Sequence, residues 1–156
     1  MRSLLIFAIV VSCVFAGAKP MTWKDCTGKD ALVVIKDVTL TPNPMVRGQN
    51  TTVVGKGLVK KTVEVGATWK MVSSLNRLPV LEKKGDLCSN GVVDLPFHVG
   101  AVYVKGVDCP FPAGDITLVE KAYLGSTPPP GDYGVKLTAT NPDGTEIVCF
   151  QVDIPI

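Results

Sequence analysis

The residues that could do bond chemistry are few and scattered. His98 is the only histidine. It has no Gly-x-Ser-x-Gly setting nearby and no second histidine with which to hold a metal. General-base work needs a nucleophile within reach and a partner that orients the ring. Gly55-Lys56-Gly57 offers a cation between two glycines, but the full phosphate-loop spacing and a following helix are missing. A tight crossing of strands is the expected use of those glycines. Asp86, Asp94 and Asp108 do not fall at calcium-loop spacing and are expected to be solvated. Lys60-Lys61 and Lys83-Lys84 are pairs, not runs, so no strong membrane-binding patch is indicated. Lys and Arg number 16 against 14 Asp and Glu, which leaves no basic field to attract nucleic acid. These residues predict a protein that is not an enzyme, with no metal and no cofactor.

The cysteines have a different use. There are 5, an odd number, and Cys13 resolves it. Arg2 followed by an apolar run of about a dozen residues, short of the roughly 20 that span a bilayer, reads as a signal peptide over residues 1–18. Ala16-Gly17-Ala18 supplies the small residues at its cleavage site. The mature chain, residues 19–156, is then a single domain. It has lost Arg2, so the excess of cations over acids falls to one. Cys26, Cys88, Cys109 and Cys149 remain. Zinc or redox work would need close pairs such as C-x-x-C, which are absent, so a structural role in an oxidising compartment is expected. Four cysteines allow three pairings. Position favours the nested one, Cys26 with Cys149 and Cys88 with Cys109, in which the outer bridge contributes about 4 to 5 kcal/mol and the inner about 3. Asn50-Thr51-Thr52 is a sequon that this compartment can glycosylate at Asn50.

What is left to work with is apolar surface, and period-two alternation says which elements carry it. Val63, Val65, Ala67, Trp69 and Met71 share one face, with Thr62, Glu64, Thr68 and Lys70 on the other, as in a half-buried strand. Tyr133, Val135, Leu137 and Ala139 repeat the pattern. So do Val148, Phe150, Val152 and Ile154, after the turn signal Asn141-Pro142-Asp143-Gly144. Residues 32–40 are β-branched with broken alternation, which predicts a bulge or burial on both faces. Residues 51–59 and 116–124 are further strands, and 97–104 is a weaker one. No window carries helical spacing. About seven or eight short strands read as an all-β, immunoglobulin-like antiparallel β-sandwich.

The order of the pieces is specific. "VVIKDVTLTPNPMVRGQNTTVVGKG" is followed by "LPVLEKKGDLC", then Cys109-Pro110, then "ITLVEKAYLGSTPPPGDYGVKLTATNPDGTEIVCFQVDIPI". This arrangement resembles the ML-domain lipid-recognition family over most of the mature chain. The family includes a soluble Niemann-Pick type C sterol-binding protein and phosphatidylglycerol/phosphatidylinositol transfer proteins. Cys26 and Cys149 match its end-to-end bridge, and Cys88 and Cys109 its hairpin bridge. Two departures stand out. Ser89 to Asp108 intervene where the family has only a few residues, and a cysteine pair that some members carry is missing around Pro42 to Pro44.

The resemblance implies an apolar pocket between the sheets that holds a sterol or phospholipid tail. The lining residues it suggests are Val63, Val65, Trp69, Met71, Tyr133, Val135, Leu137, Phe150 and Val152. The mouth would lie near the Cys88–Cys109 bridge, with Pro110 and Phe111 at its rim. It also implies a secreted protein or one of the endosomal or lysosomal lumen, a monomer in transient contact with membranes. Its function would be lipid binding and transfer; the alternative is a lipid-recognition module that acts with a protein receptor in innate sensing.

Overall fold

Alternating strands with one apolar face need a second layer to cover that face, and the chain supplies two sheets. The computed structural model describes residues 19–156; the predicted signal segment, residues 1–18, lies outside them. The described residues form β1 (Thr22–Asp25), β2 (Val33–Thr41), β3 (Asn50–Val59), β4 (Thr68–Leu75), β5 (Leu78–Asp86), β6 (Gly91–Leu95), β7 (Gly100–Val104), β8 (Gly114–Leu124), β9 (Asp132–Thr140) and β10 (Glu146–Pro155). One sheet has the order β1-β10-β9-β4-β5 and the other β2-β3-β8-β7-β6. All pairings are antiparallel.

The strand count is ten, not seven or eight. The additional strands are β1, β5 and β6, each at or beside a sheet edge. An edge strand has one face and one side in water, so it can carry charge and lose the alternating signature. Glu82, Lys83 and Lys84 do this in β5. Its turn was also unmarked by glycine: Asn76 and Arg77 both take positive φ, 49° and 69°, as a two-residue hairpin requires. The Ser89 to Asp108 insertion forms the β6–β7 hairpin, which extends the second sheet beyond β8.

The expected strand across residues 63–71 is broken. Gly66 takes φ 87° and turns the chain, so β4 begins only at Thr68. Val63 forms an isolated bridge to Phe111, and Val65 stands 67% exposed in the turn. The alternation there spans two elements rather than one. The Asn141 side chain ties this turn to the C-terminal hairpin. Its Oδ1 accepts from the Glu64 N–H at 3.0 Å, and its Nδ2 donates to the Thr62 carbonyl at 3.2 Å.

Register carries the inward faces into line. In the first sheet Met71 opposes Leu137, which opposes Phe150, and Ser73 opposes Val135, which opposes Val152. Trp69 opposes Gly85, and its indole covers the glycine so closely that a Cβ there would lie 2.5 Å from Trp69 Cζ2. In the second sheet Gly57 opposes Ile116, Gly55 opposes Leu118, Val53 opposes Glu120 and Thr51 opposes Ala122. The predicted irregularity in residues 32–40 is a register shift in β2 between Ile35 and Asp37. The nested disulfides are present: Cys26–Cys149 ties the segment after β1 to β10, and Cys88–Cys109 ties the segment after β5 to the one before β8.

Candidate functional site

Three strands of the second sheet and one of the first line a partly open cavity of about 140 Å³. Its broad wall comes from β2, β3 and β8, through Val33, Ile35, Val53, Ile116 and Leu118. Val148 and Phe150 of β10 face them, and Val63, Leu87, Val107 and Phe111 close one end. These last residues flank the Cys88–Cys109 bridge, so the disulfide holds that end of the cavity in place. Apart from Lys56 and Glu120 the lining is apolar, and surface of this kind is what a hydrocarbon chain leaves water to reach, at about 0.8 kcal/mol per CH₂.

The two glycines of Gly55-Lys56-Gly57 do different jobs. At Gly57 an added Cβ would lie 2.9 Å from the Val34 carbonyl oxygen and 3.2 Å from Val33 Cγ1; this is the close approach of strands expected there. At Gly55 an added Cβ would meet nothing within 4 Å. Gly55 is on the inward face opposite Leu118, so its missing side chain is part of the void.

The cavity wall has one carboxylate. Glu120 takes the inward phase of β8, between Leu118 and Ala122, where a nonpolar residue would continue the pattern. β7 stops pairing with β8 after Tyr103 opposes Lys121. The Lys105 N–H is thereby released from the ladder and donates to Glu120 Oε2 at 2.7 Å. Burial pushes the Glu120 carboxyl above its ordinary pKa, while the Lys105 N–H and the Lys105 charge pull it down.

Of the expected lining positions, Val63, Phe111 and Phe150 are on this cavity. Tyr133 and Val135 line a smaller void of about 30 Å³ nearer the other end of the sandwich, with Ser73, Val102 and Leu124. Trp69, Met71 and Val152 are buried in the core, and Leu137 is half-buried, none of them on either void. Val65 and Pro110 are exposed and face neither void. Val65 is therefore corrected from an inward position to a turn position, for the reason given by Gly66. The shift arises because period-two alternation is clearest in the first sheet, whereas β2, β3 and β8 of the second form most of the wall. The signal was present but blurred in residues 116–124: Ile116, Leu118, Ala122 and Leu124 share one phase with Glu120, while Thr117, Val119, Lys121 and Tyr123 share the other. His98 is exposed at the β6–β7 turn and away from both voids. Asn50 is exposed at the start of β3.

A two-sheet antiparallel sandwich, stapled by two disulfides and with an apolar cavity between its layers, defines the class of fold. The chain belongs to the ML-domain family: residues 20–156 match the ML domain. It is 29% identical over 132 residues to a phosphatidylglycerol/phosphatidylinositol transfer protein of Mycosarcoma maydis, covering 85% of this chain and 64% of that one. It is 30% identical over 139 residues to the protein of that description from Candida albicans, covering 88% and 66%. The chain thus spans about two thirds of the length of these relatives. Among solved structures, a Niemann-Pick type C2 protein from the Japanese carpenter ant superposes with a TM-score of 0.56 at 17% identity, covering 86% of this chain and 98% of that one. Chicken MD-1, solved in complex with lipid IVa, superposes at 0.51 and 18%, with the same coverage. At these identities the structures speak for the fold.

Proposed function

We propose that this protein binds a lipid between its two sheets and carries it between membranes. The cavity walled by β2, β3, β8 and β10 is the observation that carries this reading: it is apolar, it lies between the layers, and Gly55 enlarges it. Relatives described as phosphatidylglycerol/phosphatidylinositol transfer proteins support a phospholipid as cargo, and a sterol is the other cargo proposed. A void of 140 Å³ is smaller than the roughly 300 Å³ and above of ordinary ligand pockets, so loading requires the sheets to part. The ladders within each layer can stay intact while this happens, since the layers are joined by side-chain packing and by a few backbone contacts at one end, such as the Leu32 N–H to the Glu146 carbonyl and the Val63–Phe111 bridge. The protein acts as a carrier without a cofactor and not as an enzyme, works as a monomer, and meets membranes only transiently. Its two disulfides support the secretory route, with the extracellular space or the endosomal and lysosomal lumen as destination.

Native mass spectrometry of the secreted protein, before and after organic extraction, tests the binding half. A bound lipid mass that extraction removes is the expected result. Transfer of labelled phosphatidylglycerol, phosphatidylinositol or sterol between two vesicle populations tests the other half. A protein that takes up none of these from vesicles would refute the reading.

A further inference from the structure

The interior between the sheets has a polar waist. Glu120 on β8 and Thr51 on β3 are diagonal neighbours on the inward face, since Val53 opposes Glu120 and Thr51 opposes Ala122. Diagonal positions in an antiparallel pair stand about 7 to 8 Å apart, close enough for one small group to touch both side chains. Thr51 is only 1% exposed, and its Oγ1 has no hydrogen-bond partner. A buried hydroxyl left unpaired costs stability, so the structure holds an acceptor and donor there that the protein itself does not use. The Lys105 N–H occupies Oε2 of Glu120 and leaves Oε1 without a protein donor among the described residues. Glu120 lines the larger void with Val53, and Ala122, the partner of Thr51 across the strands, lines the smaller one; Thr51 itself is packed beside both and lines neither. Ser73, 2% exposed, is on the other sheet and lines the smaller void with Ala122.

We propose that Glu120 and Thr51 form a recognition point for a lipid hydroxyl, which selects cargo bearing an uncharged hydroxyl over cargo whose buried end is an anion. This rests on the lipid-carrier reading above. The chemistry is directional. A carboxylate accepts a hydrogen bond from a hydroxyl, and a protonated carboxyl donates one to it, so either state of Glu120 can hold an alcohol. A second carboxylate or a phosphate beside ionised Glu120 meets like charge where burial already disfavours an anion, with the Lys105 charge opposing. Thr51 Oγ1 completes the site, because a hydroxyl has both a donor and acceptor lone pairs to offer. The same group could come from a sterol or from the polyol head of a glycerolipid.

The test compares 1-hexadecanol with hexadecanoate, equal in chain length, by native mass spectrometry at pH 7 on secreted wild type, Glu120→Gln and Thr51→Val. Thr51→Val keeps the sequon, whose second hydroxyl residue is Thr52. Wild type should prefer the alcohol by about tenfold or more, as a hydrogen bond to a charged group would give. Glu120→Gln should bring the two probes to similar affinity. Thr51→Val should weaken the alcohol alone while raising the Tm, which a merely structural threonine would not do. The same comparison of a sterol with its methyl ether, and of phosphatidylglycerol with phosphatidic acid, assigns the hydroxyl to one source. If every probe binds and the alcohol preference is unchanged in both variants, the recognition point is wrong and the carrier reading stands. If wild type binds no probe at all, the carrier reading falls and this inference falls with it.

Discussion

Gly55→Val puts side chain where the structure has none, and its two consequences have opposite signs. An added Cβ at Gly55 meets nothing within 4 Å, and the residue faces a void of 140 Å³. At about 24 cal/mol per Å³ a closed void of that size costs about 3 kcal/mol, an upper bound for one partly open to water. Valine adds three carbons, and burying them at about 0.8 kcal/mol each contributes about 2 kcal/mol. Replacing glycine in a strand interior adds a few tenths more by restricting the unfolded chain. The variant should therefore be more stable by about 2 kcal/mol, which for a domain of this size raises the Tm by about 6 to 10 °C. Lipid bound between β2, β3 and β8 must occupy the same space, so affinity should fall at least about tenfold. Thermal unfolding with and without lipid reads both effects: the wild type gains stability with lipid by mass action, and the variant starts higher and gains little. Val34→Ala, on the exposed outer face of β2, is the control for both. A Gly55→Val protein that binds lipid as wild type does would refute the placement of the cargo. One that is destabilised would show that the space beside Gly55 is not there.

Other consequences are as direct. Burial raises the Glu120 pKa above its ordinary 4.5, so the folded state holds that proton more tightly than the unfolded chain. Its contribution to stability is present below pH 4.5 and is lost as pH rises through the folded value. Glu120→Gln should accordingly raise the Tm at pH 7, with the advantage vanishing on acidification below pH 4.5; an advantage independent of pH would point to packing instead. Asn141→Ala strips the partners from the Glu64 N–H and the Thr62 carbonyl, at about 2 to 3 kcal/mol. Urea unfolding should show this loss, and a change under 0.5 kcal/mol would mean that water replaces the side chain at no cost.

Most of the fold was legible because strands with one buried face write it into the chain at period two. The C-terminal hairpin is the clearest case. Tyr133 to Ala139 and Val148 to Ile154 alternate, and Asn141-Pro142-Asp143-Gly144 turns between them, with Gly144 at φ 84°. The bulge in β2 was legible as a break in that same rhythm. β5 was not, because an edge strand meets water on its open side and tolerates Glu82, Lys83 and Lys84. Residues 63–71 misled for the converse reason: alternation persisted across a turn at Gly66, where Val63 faces in and Val65 faces out.

The candidate site divides the same way. Residue types along the chain determined that the interior would be apolar, that no catalytic set was offered, and that four cysteines would staple a small sandwich; each follows from local composition and spacing. Tertiary structure decided where the empty space lies. Whether a buried side chain fills a gap or borders one depends on what the opposite sheet brings, and register between distant strands sets that. Trp69 fills the space over Gly85, while Gly55 has no such cover. Glu120 shows the limit most plainly. In the chain it is one charge in a strand, and only the departure of β7 from β8 and the approach of β10 turn it into a carboxylate at the edge of an apolar cavity.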